Sequence, residues 1–296
     1  MPKFEKKNED IVTVGFFFSP SKAELAMLKD LDIYNLDIVA SLKSGSVSRI
    51  IKRRKYFHII LSTPVRIGEC VEKETFGIFI FPRKVIIVGN TPLDIRVKKW
   101  KSLGDTIIEI LNWNLKRIKE FVEDLDKDYD ELEEEISEIK RDIEIAIDLW
   151  DMRDDAATLL RIIKENMLVI QGLSKLEFLK EKEAILENMV YELKYYLEDT
   201  QSLIEDLKSA FDAYVSLISY DMGEKVENLT YITIALAIPQ IIAGFYGMNL
   251  ILPFQRNPMA FLFIALFSLL LSFSVYLLLR FRRNLSIFIR KRRKKE

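Results

Sequence analysis

Six residues near the C-terminus, Thr230, Thr233, Ala237, Gln240, Gly244 and Gly247, recur at spacings of 3, 4, 3, 4 and 3. That period places them on one face of a helix, and all six are small or polar within a stretch that is otherwise apolar. Two chemistries suit such a stripe. Small residues one turn apart let helices approach closely, whereas hydroxyls, an amide and bare backbone in a row can line a water-filled path. Gln240 favours the path, because an amide inside a membrane span faces a cavity or a partner. Two spans per chain cannot enclose a hydrated ion, so a pore lined by this stripe requires several copies in a ring, a symmetric homo-oligomer.

The second concentration of chemistry is acidic. The 33 residues from Glu123 to Asp155 hold 16 carboxylates against Lys127, Lys140, Arg141 and Arg153. Such a run is either a solvated helix face or an oxygen-rich surface that gathers divalent cations. Cys70 is the one cysteine and His58 the one histidine, which excludes an internal disulfide and any cysteine or imidazole metal cluster. A metal handled by this chain is therefore a hard ion with oxygen ligands, magnesium before zinc or copper. His58 sits in an apolar strand and reads as structural. With no nucleophile paired to a base and no phosphate-binding glycine loop, neither an enzyme nor an organic cofactor is expected. A net charge of −1 gives no push toward nucleic acid.

The elements that hold these residues follow from hydropathy. Of 296 residues 30% are charged, yet the mean hydropathy is +0.07, because the 52 residues from Asn228 to Leu279 carry one charge, Arg256. Within them 229–248 and 259–279 are each long enough to cross a bilayer, joined by a ten-residue loop, 249–258. The second span, with Phe261, Leu262, Phe263, Ile264, Leu266 and Phe267, is apolar all round and suits lipid. Nine basic residues from Arg280 to Lys295 place the C-terminus in the cytoplasm, and an even number of spans places the N-terminal part there too. The run Ile11 to Phe18 is too short for a secretory signal and ends at Ser19-Pro20. The basic tail, 280–296, also suits anionic lipid headgroups.

Residues 1–104 read as a cytoplasmic α/β domain, with strands at Ile11 to Phe18, Tyr56 to Ser62, Phe76 to Phe81 and Val85 to Val88, and a helix capped by Ser21. Residues 105–228 read as helices. Trp113, Ile118, Phe121, Leu125, Leu132, Ile136, Ile139, Ile143 and Ile147 describe one long amphipathic helix, with a turn expected at Asp151 to Asp155, a second helix at Ala156 to Ile170 and a break at Gly172. From Ser174 a stalk helix of more than sixty residues would reach ~100 Å toward the membrane. The fold class is thus an α+β membrane protein: cytoplasmic α/β domain, long stalk, two C-terminal spans and a homo-oligomeric pore.

The first span ends Ile238-Pro239-Gln240-Ile241-Ile242-Ala243-Gly244-Phe245-Tyr246-Gly247-Met248-Asn249. This closely resembles the signature of the CorA family of magnesium transporters, Gly-Met-Asn closing the first of two C-terminal spans, and the layout resembles that family throughout. The resemblance implies a homopentamer in the cell membrane with one central pore, Gly247, Met248 and Asn249 forming its outer ring and the stripe from Thr230 to Gly244 its wall. It implies transport of hydrated Mg²⁺, with Co²⁺ and Ni²⁺ as co-substrates, and closure by cytoplasmic Mg²⁺ bridging carboxylates between subunits. The stalk candidates for that role are Glu187, Glu192, Asp199, Glu205, Asp206 and Asp212. The chain departs from the family pattern in lacking an acidic residue after the signature, in Gln240 where threonine is common, and in Gly223 where asparagine is frequent. The alternatives are a zinc-transporting relative of the same fold and a non-conducting membrane-anchored scaffold.

Overall fold

The computed structural model describes residues 13–92, 102–137, 143–248 and 258–293. The chain forms two compact units, Met1–Tyr214 and Val215–Glu296.

The first unit is built on five strands, β1 (Thr13–Phe18), β2 (Arg49–Lys52), β3 (Phe57–Ile67), β4 (Cys70–Phe81) and β5 (Lys84–Gly89), in the order β1-β5-β4-β3-β2. β1 lies parallel to β5, and the other pairs are antiparallel. The turn at Pro82-Arg83 joins β4 to β5, with Phe81 opposite Lys84. Gly68 takes φ +64° between β3 and β4, a left-handed position that costs glycine nothing. Strands β3 and β4 run well beyond their expected limits, and β2 is an element the sequence analysis lacks. Ile11 and Val12, expected in the first strand, lie outside the described residues.

Helices α1 (Lys22–Asp30) and α2 (Asn35–Leu42) cover one face of the sheet. Ser21 caps α1 in a reciprocal box with Glu24. Leu28, Ile33, Ile38, Tyr56, Phe79, Ile86 and Val88 form the core beneath them. The approach of α2 depends on Gly77, where a Cβ would stand 1.9 Å from the Ser41 hydroxyl oxygen. Under α2 lies a buried polar knot. Arg53 grips both carboxylate oxygens of Asp37 at 2.6 and 2.8 Å, and the Tyr56 hydroxyl donates to Asp37 at 2.7 Å. His58 is fully buried, stacked on Phe79 with ring centroids 4.3 Å apart, its Nε2 2.9 Å from the Ser41 hydroxyl.

Burial, opposed by the Asp37 carboxylate, holds the His58 imidazole down at about 4. A neutral histidine in the fold and one that titrates near 6.5 when unfolded make stability full above that value. It is lost as pH falls toward the folded-state value, by about 3 kcal/mol in total. Thermal melts of the protein between pH 7 and pH 5 will show this decline, and a His58→Gln variant, which cannot titrate, will lack most of it. An equal slope in both proteins would contradict the assignment.

The other face of the sheet carries α3 (Leu103–Ser137) and α4 (Ile143–Leu173). The expected single long helix is two, and the expected turn at Asp151 to Asp155 is continuous helix. The reason is packing: Ile145, Leu149, Ala156, Leu159 and Ile163 are all buried along one uninterrupted stripe, and no glycine or proline stands between Asp151 and Asp155 to break it. The chain changes helix between Ser137 and Ile143, a stretch that includes Ile139 and lies largely outside the described residues. The α4 helix ends at Leu173, where Gly172 signals the break. A 3-10 turn, Glu177–Lys182, then leads into α5 (Glu183–Tyr246), so the long stalk helix is present but starts nine residues after the expected Ser174. Within the first unit α5 buries Leu186, Met189, Leu193, Tyr196, Thr200, Leu203, Leu207 and Tyr214, alternating spacings of three and four before a final seven, a seam of coiled-coil type.

The second unit consists of the remainder of α5 and α6 (Pro258–Arg293). Each contains a stretch long and apolar enough to cross a membrane. Large apolar side chains stand exposed along both, including Leu236, Phe245, Leu262, Phe267 and Leu270. In lipid rather than water that exposure costs nothing.

Candidate ion-conducting site

Among the described residues of the second unit only Ala235, Ser268 and Ser272 are buried. The Ser272 hydroxyl donates to the Ala235 carbonyl oxygen at 2.5 Å, so Ala235 marks the face of α5 that meets α6. The second span is therefore not apolar all round, as its composition suggests: Ser268 and Ser272, one turn apart, give it a polar seam toward α5.

That contact fixes the direction of the stripe. At 100° per residue, Thr233, Ala237 and Gly244 lie within about 20° of the side opposite Ala235, and Thr230 and Gln240 within about 40°. Thr230, Thr233, Gln240 and Gly244 are exposed and Ala237 is half-buried. The small-and-polar row thus takes no part in packing against its own α6.

The chemistry of the row is that of an acceptor surface. The Thr230 hydroxyl donates to the Val226 carbonyl at 2.9 Å and the Thr233 hydroxyl to the Leu229 carbonyl at 2.8 Å. Each hydroxyl has spent its proton on its own helix and offers lone pairs outward, the polarity that the water shell of a cation needs. A Cβ on Gly244 would meet nothing within 4 Å, so its bareness serves nothing inside this chain. The Gly247 N–H closes the helix on the Ala243 carbonyl at 2.9 Å and the Met248 N–H bonds the Phe245 carbonyl at 3.3 Å. Gly247 and Met248 stand exposed at that end. Asn249 and the expected external loop up to position 257 lie outside the described residues, and Pro258, expected in that loop, is the first residue of α6.

The stalk carboxylates divide. In the first unit Asp199 faces the acidic stretch of α3: burial first, then the charges of Asp199 and Asp130, push the Asp126 carboxyl up. Asp206 contributes likewise to raising the nearby Tyr129, after burial and Glu133. Glu192 accepts a hydrogen bond from the Tyr196 hydroxyl at 3.0 Å. Glu187, Glu205 and Asp212 lie on exposed parts of α5. Among the described residues no three acidic, histidine or cysteine side chains gather closely enough to hold a metal ion. The sequence analysis missed Asp126 as a neighbour of Asp199, because which acid of a 33-residue run faces the stalk depends on helix packing. It also missed Ser272, whose signal is the spacing Ser268-x-x-x-Ser272 in an otherwise apolar span.

Comparison with known proteins identifies the family. The family model described as CorA-like Mg²⁺ transporter protein matches residues 16–283. The cobalt/magnesium transport protein CorA of Methanocaldococcus jannaschii is 25% identical over 287 residues, covering 90% of this chain and 89% of the relative. Three solved structures share the fold. The complete CorA magnesium transporter from M. jannaschii superposes with TM-score 0.71 at 20% identity, over 90% of this chain and 88% of that one. Full-length CmaX gives 0.63 at 16% identity, over 86% and 85%. The ZntB cytoplasmic domain from Vibrio parahaemolyticus gives 0.54 at 15% identity, over 73% and 91%. With the family model spanning most of the sequence and both apolar helices in place, the chain belongs to the CorA-like Mg²⁺ transporter family, and is a membrane transporter of divalent cations rather than an enzyme.

Proposed function

We propose that this chain is one subunit of a homopentameric channel through which hydrated Mg²⁺ enters the cell, with Co²⁺ and Ni²⁺ as further substrates. The observation that carries this reading is the acceptor-lined stripe turned away from the one helix its own chain offers it. Five such stripes facing a common axis would make a wall of threonine and glutamine oxygens around a file of hydrated ions. The name of the archaeal relative, which joins cobalt to magnesium, supports the choice of ions. The spans are 229–248 and 259–279, the loop 249–258 faces outward, and the basic segment 280–296 lies against cytoplasmic anionic lipid.

Neutral oxygens suit the task. Mg²⁺ sheds its water reluctantly, so Asn249 amides at the outer mouth would hold the ion through its hydration shell, tightly enough to select and loosely enough to release. The driving force is the membrane potential. At ~2.3 kcal/mol per charge per 100 mV a divalent ion gains about 4.6 kcal/mol on entry, a bias on the order of 10³. Closure by cytoplasmic Mg²⁺ would act on the stalk. Asp126 and Asp199, whose charges act on each other, are two hard oxygen donors of the kind Mg²⁺ takes. Waters and carboxylates of a neighbouring copy, drawn from Glu187, Glu192, Glu205, Asp206 and Asp212, would complete its octahedron.

Thiol accessibility tests the wall. In a Cys70→Ser background, Thr233→Cys and Gln240→Cys will react with a water-soluble methanethiosulfonate reagent and lose uptake as they do. Leu236→Cys and Phe245→Cys, on faces turned to lipid, will neither react nor lose uptake. The opposite pattern, or an inert stripe, would mean a packing seam and the scaffold reading.

A further inference from the structure

Pro239 stands inside α5. Proline has no N–H, so the carbonyl four residues earlier loses its helical partner, and the ring pushes that carbonyl outward. The residue four earlier is Ala235. In a membrane span an unpaired carbonyl has no water to turn to, and a neighbouring serine or threonine is one of the few groups able to satisfy it. The Ser272 hydroxyl of α6 donates to this same Ala235 oxygen at 2.5 Å.

The serine is used unusually. A helical serine ordinarily bonds back to a carbonyl of its own preceding turn. Ser268, one turn away on the same face, does so, donating to Ala265 at 2.8 Å. Ser272 instead reaches across to the neighbouring helix. The donor, the residue carrying the acceptor and Ser268 beside them are the three buried residues of the unit among those described. The break in α5 and its repair are thus concentrated at one point.

We infer that the Ser272–Ala235 bond is a clasp that sets the direction of α5 beyond Pro239, and that Ser272 is a positioning residue for the conduction path. Gln240, Gly244 and Gly247 all follow the proline, so the segment bearing the outer half of the stripe is joined to the inner half across a missing hydrogen bond. A helix lacking one rung bends easily there. With its freed carbonyl tied to α6, it has one preferred direction. This inference rests on the channel reading for its functional meaning, but the clasp itself is a property of two helices in one chain.

A double-mutant cycle isolates it, because removing the proline restores the N–H that makes the serine unnecessary. In a Cys70→Ser background, spin labels at Phe245→Cys and Leu262→Cys report the distance between the end of α5 and the start of α6. Ser272→Ala will broaden or shift that distance distribution, and Ser272→Thr, which keeps the hydroxyl, will restore it. In Pro239→Ala, adding Ser272→Ala will change nothing. Uptake in liposomes will follow: about a tenfold loss for Ser272→Ala with Pro239 present, and less than about twofold with Pro239→Ala. An equal effect of Ser272→Ala in both backgrounds, an unchanged distance with Pro239 present, or a shifted distance with unimpaired uptake would overturn the proposal. A parent protein with no uptake would contradict the channel reading instead, while the distances still decide the clasp.

Discussion

Replacing Asn249 by alanine is expected to abolish divalent cation uptake while the protein still assembles and inserts. In sequence the residue follows the last residues of the first span, and the function proposed above places it in the outer ring. An amide oxygen there accepts hydrogen bonds from the water shell of the ion, and alanine offers nothing in its place. If five copies each contribute about 0.5–1.5 kcal/mol, their joint loss is about 3–7 kcal/mol, or on the order of 10² to 10⁵ in occupancy of the mouth. Size-exclusion profiles and thermal melts in detergent should match those of the parent protein. Uptake persisting within twofold would remove the signature from the mechanism. Uptake lost together with the oligomer would make Asn249 a structural residue.

The largest expected effect on stability lies at Glu165. Its carboxylate accepts from Lys73 Nζ at 2.7 Å on both oxygens, from the Ser48 N–H at 3.0 Å and hydroxyl at 3.1 Å, and from the Ser62 hydroxyl at 3.2 Å. Next to it Asn166 accepts from the Ser62 N–H at 3.0 Å and donates to the Ser62 carbonyl at 2.6 Å. Together these tie α4 to β3, to β4 and to Ser48 just before β2. Burial pushes the Glu165 carboxyl up, but Lys73 and the Ser48 groups more than offset it and hold the group below its ordinary value. Both charged side chains are nearly enclosed, at 11% and 14% exposure.

Glu165→Ala therefore strands the nearly enclosed Lys73 ammonium and the Ser48 N–H, at a cost of about 3–5 kcal/mol. The melting temperature should fall by about 10 °C or more. Glu165→Ala with Lys73→Met should recover much of the loss, because no charge is then left unpaired. By contrast, Glu120→Ala on α3, which breaks an exposed pair with Lys116, should change stability by less than about 1 kcal/mol. Equal effects at the two sites would contradict the network.

The two apolar spans were legible because their signal repeats over about twenty residues each, and the stalk because no proline stands between Ser174 and Pro239 to break it. The amphipathic period that continues from Trp113 to Ile147 hid the change from α3 to α4. Short elements escaped: β2 is four residues, Arg49-Ile50-Ile51-Lys52, with charges at both ends, and α2 is eight residues whose N-cap, Tyr34, makes no side-chain cap. At Asp151 to Asp155 clustered acids suggested a turn, yet the buried stripe through Ala156 carries the helix across them. Asp155 itself is occupied locally, accepting the Val71 N–H at 2.8 Å. The stripe was visible as a period of three and four, but its direction was not. Only the Ser272–Ala235 bond shows which side of α5 meets α6. Likewise Pro239 announces a freed carbonyl in the sequence, while the residue that satisfies it comes from 33 positions further on.

On the function proposed above, a membrane potential drives hydrated Mg²⁺ through a ring of these stripes. Purified protein in liposomes loaded with a Mg²⁺-sensitive dye, under an imposed inside-negative potential, tests it most directly, with Asn249→Ala alongside. The account predicts Mg²⁺ entry that follows the potential and vanishes in the variant. No Mg²⁺ entry from folded, inserted protein would contradict it, with Zn²⁺ entry under a proton gradient pointing to zinc transport and silence for every divalent ion to a scaffold.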